Sequence, residues 1–176
     1  AMADYMGDYA AAQAYFEVAL AIFETHGDRR RMAAALNNLA MALSFQMQFD
    51  EARKWLEQGQ AIKRDLGDPW SIANGLDNLG RIAVFQRDYE TGRQYAAEAL
   101  DMFRAIGDRT GVAISQGNLA DALLHLGDLA AARTSMAESL NLLHEIGEKD
   151  GMADGLERFA SLATAESDWR RAAQLF

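Results

Sequence analysis

The dipeptide Gly-Asp recurs along the chain at a constant interval of 40 residues. It is found at Gly27-Asp28, Gly67-Asp68 and Gly107-Asp108, and a close variant follows at Gly147-Glu148. Self-similarity at a fixed period of this size is typical of repeat architectures, in which each unit packs against its neighbours. The sequence therefore predicts an array of structural repeats.

Each repeat is predicted to contain two helices, A and B. Gly readily takes the left-handed conformation that ends a helix, and Asp is a preferred residue for capping the start of the next one. Pro69 follows Asp68 directly, at the preferred first helical position. The apolar residues between these signals follow helical spacing. Helix A is expected at about 29–46, 69–86 and 109–126, and helix B at about 49–66, 89–106 and 129–146.

Partial repeats are expected at both ends of the chain. Residues 8–26 form helix B of a first repeat, before complete repeats at 27–66, 67–106 and 107–146. The last repeat, 147–176, is expected to have helix A at 149–166, a turn at Ser167-Asp168 and a helix B that begins at Trp169. No linker or low-complexity tract interrupts residues 1–176, which we assign to one array. Because both ends fall within amphipathic helices, we expect a fragment of a longer array or self-association through the exposed ends.

Composition excludes several classes of function. The chain has no Cys, so disulfides, thiolate nucleophiles and Cys-based metal sites are absent. Its formal net charge of −9 disfavours nucleic acid as a partner. No apolar run approaches the roughly 18 residues that cross a bilayer, and the N-terminus lacks the layout of a signal peptide, so we expect a cytoplasmic protein without membrane contact. The three His residues lack metal-ligand spacing, and no metal or cofactor is expected.

A short pattern within each repeat resembles the tetratricopeptide repeat (TPR). Asn38-Leu39-Ala40 is followed by Phe49 and Ala52, and the same slots recur at Asn78, Tyr89 and Gly92 and at Asn118, Leu129 and Ala132. The unit is longer than the usual ~34 residues, and the fourth copy departs, with Arg158-Phe159-Ala160. The period resembles arrays of kinesin light chain, of spindle-orientation adaptors and of large bacterial transcriptional and signalling regulators. The resemblance implies an all-α, right-handed superhelical solenoid of antiparallel helix pairs, with helices A on the concave face.

Three Asn residues in register, Asn38, Asn78 and Asn118, are the most informative candidates for binding. Asn is a mediocre helix former, so its recurrence at one helical position indicates a structural or binding role. In the family, an Asn at this slot bonds the backbone of an extended peptide, and an amide can both donate and accept. The alternative is that each Asn bonds within the array or to water.

Further groove positions are implied by the same resemblance. They are Asn37, Asn74, Asp77, Arg81, Asp121, His125 and Arg158. Chaperone-binding TPRs hold a C-terminal carboxylate with Lys and Arg at helix-A slots. Only Arg81 and Arg158 are available there, without any Lys, so that clamp is not expected. Phe45 and Phe85 are interpreted as packing residues between successive A helices.

Two other features are interpreted as structural. The stretch from Gly107 to Gly111 lacks the Gly-Lys-Ser/Thr of a phosphate loop and lies between helices. Trp55, Trp70 and Trp169 occupy different slots and are assigned to local packing. The sequence thus predicts a non-enzymatic protein-protein interaction module that binds a peptide or helix in the concave groove. The alternative is a ligand-sensing or regulatory domain of a larger bacterial regulator.

Overall fold

The computed structural model describes residues 8–173, and this part of the chain is folded into eight consecutive α-helices. Their lengths and bounds follow the predicted pattern closely up to the last one. The helices are α1 (Tyr9–Thr25), α2 (Arg29–Phe45), α3 (Phe49–Leu66), α4 (Pro69–Phe85), α5 (Tyr89–Ile106), α6 (Arg109–His125), α7 (Leu129–Ile146) and α8 (Lys149–Ala173).

The Gly-Asp pairs act as predicted at the turns from helix B to helix A. Gly67 and Gly107 are left-handed, with φ of 64° and 74°, and they end α3 and α5. The side chain of Asp68 accepts a hydrogen bond from the backbone N–H of Ser71 at 3.3 Å, and that of Asp108 accepts one from Gly111 at 3.1 Å. These bonds satisfy backbone donors that a helix start otherwise leaves unpaired.

Packing places one set of helices on the inner face. Each helix packs against the next, and α2, α4, α6 and α8 also contact one another in sequence. Among residues 8–173, the alternate helices α1, α3, α5 and α7 make no such contacts with each other. Helices that approach more closely lie on the inside of a curved array, so helices A form the concave face. A solenoid of this kind derives its stability from contacts between neighbouring repeats.

The core runs between the helix pairs. Leu39, Leu43, Leu56 and Ile82 are buried in one cluster that joins α2, α3 and α4. The small residues that recur at one slot of helix B, Ala52, Gly92 and Ala132, are buried. A Cβ atom on Gly92 would lie 2.6 Å from Cγ2 of Val84, which explains why a side chain is excluded there.

The predicted turn at Ser167-Asp168 is wrong. Helix α8 continues through it as one helix of 25 residues. The corresponding turns use left-handed residues, namely Met47, Arg87 and Gly127. A left-handed backbone is costly for residues other than Gly. The hydroxyl of Ser167 instead donates to the carbonyl of Ala163 at 2.9 Å, a bond made within a continuous helix.

No helix in the described part of the chain is long and apolar enough to cross a membrane.

Candidate functional site

The predicted binding residues lie on the four inner helices, but their surroundings differ. Asn37 and Asn38 belong to α2; Asn74, Asp77, Asn78 and Arg81 to α4; Asn118, Asp121 and His125 to α6; and Arg158 to α8. Asn38 and His125 are exposed, whereas Asp77 and Asn118 are buried. The other six have intermediate exposure.

The Asn ladder is partly used for bonds between neighbouring inner helices. Nδ2 of Asn78 donates to Oδ1 of Asn37 at 3.1 Å, and Nδ2 of Asn118 donates to Oδ2 of Asp77 at 2.6 Å. Each bond runs from the ladder position to the residue one place earlier on the preceding inner helix. Asn38 makes no side-chain hydrogen bond within residues 8–173 and faces solvent. The three amides are therefore not equivalent.

A buried polar network surrounds Asp77. Oγ of Ser115 donates to Oδ1 of Asp77 at 2.8 Å, and Nη1 of Arg158 donates to Oδ1 of Asn118 at 3.2 Å. Burial raises the pKa of the Asp77 carboxyl, and the bonds from Ser115 and Asn118 oppose that rise. Burial also raises the pKa of Asp121, opposed by the charge of Arg158, with which it pairs at 3.2 Å. The network joins α4, α6 and α8.

Arg81 has fewer partners than the other groups of this network. Its Nη2 lies 3.2 Å from Sδ of Met41, a weak acceptor, and its buried Nε has no partner. Burial lowers the pKa of Arg81, and the charge of Asp77 opposes this. Arg81 borders a cleft of about 280 Å³ between α4, α6 and α8, which Ile114, Asp154 and Arg158 also line.

A larger cleft of about 500 Å³ opens between α2 and α4. The predicted residues Asn37, Asn38 and Asn74 line its walls. Its lining also includes residues that the sequence reasoning did not select, among them Arg30, Lys63, Leu66 and Trp70. The residues predicted from the sequence all belong to helix-A slots, whereas Lys63 reaches the cleft from the outer helix α3.

A comparison of helix-B slots would have revealed Lys63. The residues that share its slot are Phe23, Phe103 and Leu143, so Lys63 replaces an apolar residue. It is 5% exposed, and its Nζ donates to Oδ1 of Asn37 at 3.2 Å. Burial lowers the pKa of its ammonium to about 8, opposed by the charge of Asp68.

Aromatic stacking lies at the far end of the inner helices. Phe45 stacks on Tyr9 with ring centroids 4.6 Å apart, and Phe85 stacks on Phe49 at 5.5 Å. His125 occupies the same slot and stacks on Tyr89 at 4.6 Å. The ring contacts of Phe45 and Phe85 are thus made with B helices, whereas they were expected between successive A helices. Their partners lie at the start of the preceding B helix, which the antiparallel hairpin brings beside the end of helix A.

Paired antiparallel helices with one member of each pair on the inner face define a solenoid of helix-pair repeats. The family model described as Tetratricopeptide repeat matches residues 2–65 and 71–145. The chain belongs to the tetratricopeptide repeat family, which confirms the resemblance and the all-α solenoid fold. A search of curated protein sequences gives no match.

Several solved structures share this fold at low identity. BtubC (BKLC) from P. vanneervenii is 20% identical with a TM-score of 0.75, and the match covers 97% of this chain and 71% of that one. A Rap protein complexed with competence and sporulation factor is 16% identical with a TM-score of 0.73, covering 94% and 52%.

A STAND-class (Signal Transduction ATPase with Numerous Domains) protein from Pyrococcus horikoshii, which has a tetratricopeptide repeat sensor, is 21% identical with a TM-score of 0.74. The match covers 97% of this chain and 28% of that one. The chain thus spans about half of the Rap protein (52%) and a smaller part of the STAND protein. At these identities the likeness shows the fold alone.

Proposed function

We propose that the chain is a non-enzymatic protein-interaction module that binds an extended peptide, or a helix of a partner protein, in its concave groove. The observation that carries this proposal is the cleft between α2 and α4, walled by three amide side chains and bordered by Trp70 and Leu66. Amides that donate and accept suit a peptide backbone, and apolar groups beside them suit a side chain.

The accessible residues of the predicted set carry most of this function. Asn38 is exposed, and Asn74 and Asn78 are half-buried, with Asn78 donating to Oδ1 of Asn74 at 3.4 Å. Asn118 is 6% exposed and is engaged by Asp77 and Arg158. We therefore assign peptide contact to Asn38, Asn74 and Asn78, and to Asn118 the task of holding α4, α6 and α8 in place. Asn37 lines the cleft, and its Oδ1 accepts from Asn78 and Lys63. Asp77 and Asp121 are assigned to supporting the groove. Arg81, His125 and Arg158 extend it toward α8.

The Rap structure supports a peptide or protein ligand, because that relative is complexed with competence and sporulation factor. The partner of this chain is proposed to be a protein rather than nucleic acid or a membrane, in accord with a net charge of −9, and the proposed location is the cytoplasm.

Selection of peptides from a random phage-displayed library tests the proposal. Wild-type protein should enrich peptides whose binding is lost in an Asn38→Ala/Asn78→Ala variant. A Gln58→Ala/Asn141→Ala variant serves as the matched control, because it removes two exposed amides from the outer helices α3 and α7. Peptides that bind all three proteins equally would exclude the groove as the binding surface.

A second candidate function is a sensor domain of a larger bacterial regulator, favoured by the STAND relative with its tetratricopeptide repeat sensor. In that case the cleft between α2 and α4 holds a small ligand, and the parent gene encodes a nucleotide-binding or DNA-binding neighbour. Reading the flanking gene sequence separates the two, since repeats without such a neighbour favour the interaction module.

Self-association through the ends of the array is also part of the proposal. The large apolar residues Tyr15, Val18 and Ile22 share one face of α1 and are exposed. Sedimentation of the protein at several concentrations should show association that a Val18→Glu variant lacks. A strict monomer at every concentration would exclude it.

A further inference from the structure

Helix α3 differs from the other outer helices at two slots that face the core. One slot holds Leu20, Leu100 and Leu140 in α1, α5 and α7, but Gln60 in α3. The slot three residues further on holds Phe23, Phe103 and Leu143, but Lys63 in α3. Gln60 is 2% exposed and Lys63 is 5% exposed, so both polar side chains occupy places that the other repeats fill with apolar ones.

Neither polar side chain is fully satisfied by the fold. Nζ of Lys63 has three protons to donate, and its hydrogen bond in the described part of the chain goes to the neutral amide oxygen of Asn37. No carboxylate of a described residue lies within ion-pair distance of it. Gln60 donates to the carbonyl of Ile72 at 3.0 Å, but its buried Oε1 has no partner. Such groups destabilise a core, and they are expected at functional sites.

Glycine makes the room that these two side chains need. A Cβ atom on Gly75 would collide with Oε1 of Gln60 and would lie 3.0 Å from Nζ of Lys63. The side chain of Lys63 therefore extends from α3 to the base of the cleft between α2 and α4. Gln60 lies about one helical turn earlier on α3. This cation reaches the groove from the outer helix α3, whereas the predicted binding residues belong to inner helices.

The charges around the cleft favour an anion. Arg30 of α2 lies in its lining with Lys63, and Asp68 is the one acidic residue among the described lining residues. The carboxylate of Asp68 is engaged by the backbone N–H and the hydroxyl of Ser71, which lowers its pKa. The rim adds apolar surface, because Trp70 is 51% exposed and Leu66 is also exposed.

We propose that Lys63 is the floor of a carboxylate-binding subsite, which receives a carboxylate of the bound peptide while Trp70 and Leu66 contact the apolar side chain beside it. The subsite rests on the proposed peptide-binding function. The carboxylate supplies Lys63 with the charged acceptor that the fold does not provide, and Arg30 adds a second cation at the rim. The carboxylate belongs either to the C-terminus of the peptide or to an Asp or Glu side chain.

Three small probes test the subsite and separate these two sources. N-acetyl-Ala-Leu carries a C-terminal carboxylate, its C-terminal amide is the neutral match, and N-acetyl-Leu-Asp-amide carries a side-chain carboxylate. Binding is measured by NMR titration of isotope-labelled protein, following the side-chain amides of Asn37, Asn38 and Asn74. At least one acid should bind about tenfold or more tightly than the neutral amide, because charge-assisted hydrogen bonds are the stronger ones.

Two variants test whether Lys63 causes the preference for the acid probes over the neutral amide. Lys63→Leu introduces the residue found at Leu143, so it should fold, and it should bind acid and amide alike. Lys54→Leu is the matched control, because Lys54 is exposed on the same helix, and it should keep the preference. In wild type the preference should decline as the pH rises through the Lys63 pKa of about 8, since the carboxylate binds the protonated amine.

The outcomes also distinguish the subsite from the proposed function. Equal binding of acids and amide by wild type, a preference that survives Lys63→Leu, or no binding of any probe would each overturn the subsite. Peptides selected by the groove would then still support the interaction module. Conversely, binding of the acids without any selected peptide would keep the subsite and reject the module as a peptide binder.

Discussion

Helices α3 and α5 occupy equivalent places in successive repeats, but they fill the gap between their neighbouring inner helices with different chemistry. Phe103 of α5 is buried against Ala73, Leu76 and Ala99, and Trp70 meets its ring edge-on at 6.5 Å. The ring packs so closely that a Cβ atom on Gly111 would collide with it. Lys63 of α3 occupies the same slot but ends at the floor of an open cleft.

The comparison shows that the outer helices place different chemistry between neighbouring inner helices: α5 fills the gap with a packed ring, whereas α3 places a cation at an open cleft. Most of the surrounding scaffold is shared, since a left-handed Gly ends both helices and an Asp caps the helix that follows each of them. Their starts differ, because Asp88 caps α5 whereas Gln48 makes no side-chain cap bond at α3. If the groove binds a peptide as proposed, its specificity depends on the outer helices as well as on the concave surface itself.

The largest expected effect comes from truncating the two equivalent residues. Phe103→Ala should lower the free energy of unfolding by about 3–5 kcal/mol, as is usual for a large aromatic residue in a core. Lys63→Ala should change it by less than about 1 kcal/mol, because losing the packed stem and removing a buried ammonium have opposite signs. Denaturant unfolding of both variants measures the difference. Equal losses would mean that the two gaps are equivalent in energy.

The next largest effect should be on the pH dependence of the free energy of unfolding. The pKa of Lys63 is lowered from 10.5 to about 8 in the folded protein, so between these pH values the unfolded state holds more protons. Stability from this group therefore rises with pH across that window, by about 3 kcal/mol at most.

Lys63→Leu should lack this pH-dependent rise. The free energy of unfolding of Lys63→Leu, relative to wild type, should be highest below pH ~8 and decrease above it. Lys54→Leu should show the same pH dependence as wild type. Unfolding curves recorded across the window give the result. A constant difference between Lys63→Leu and wild type would show that Lys63 is not buried as an ammonium.

A smaller effect should separate the members of the Asn ladder. Asn118→Ala removes a partner from buried Asp77 and from Arg158, and it should cost about 1–3 kcal/mol. Asn38→Ala removes an exposed side chain and should cost less than about 0.5 kcal/mol. Thermal unfolding of the two variants is sufficient to compare them. A large cost at Asn38 would indicate a structural role that its exposure does not show.

The smallest effect should be found at the ends of the inner helices α2 and α4. Phe45 and Phe85 are both half-exposed and both stack on the start of the preceding outer helix. Replacing either by Ala should cost about 1 kcal/mol, the scale of an aromatic pair. Unequal losses in denaturant unfolding would mean that the two stacked pairs contribute differently to stability.

The fold was largely predictable because its signals are local. Gly at a helix end, Asp at a helix start and helical apolar spacing each act within a few residues, and they placed α2 to α7 within about a residue. The prediction failed at Ser167, whose hydroxyl bonds to the carbonyl of Ala163 within the helix. The absence of Gly is not sufficient to explain this, because Met47 and Arg87 form the equivalent turns in a left-handed conformation. Whether a turn forms at a repeat position therefore depends on the bonds that its own residue can make, and not only on the spacing of the repeats.

The site was predictable only in part because it depends on distances between helices. The sequence places Asn38, Asn78 and Asn118 in one register, but the spacing of the inner helices leaves Asn38 exposed and buries Asn118. Lys63 was visible in the sequence as a Lys among Phe23, Phe103 and Leu143. Its access to the groove depends on Gly75 and on the gap between α2 and α4, which no local pattern predicts.

The hydrogen bonds around Asn118 have a consequence for how the array opens. They link α4, α6 and α8 through the side chains of Asp77 and Arg158, whereas the side-chain amide bond between α2 and α4 joins the neutral pair Asn78–Asn37. In a quasi-linear array, cooperativity depends on such nearest-neighbour links. We expect α4 to α8 to exchange their amide hydrogens as one unit and α1 to α3 as another. A ligand bound across the gap between α2 and α4 would couple the two units, so that both exchange their amide hydrogens together.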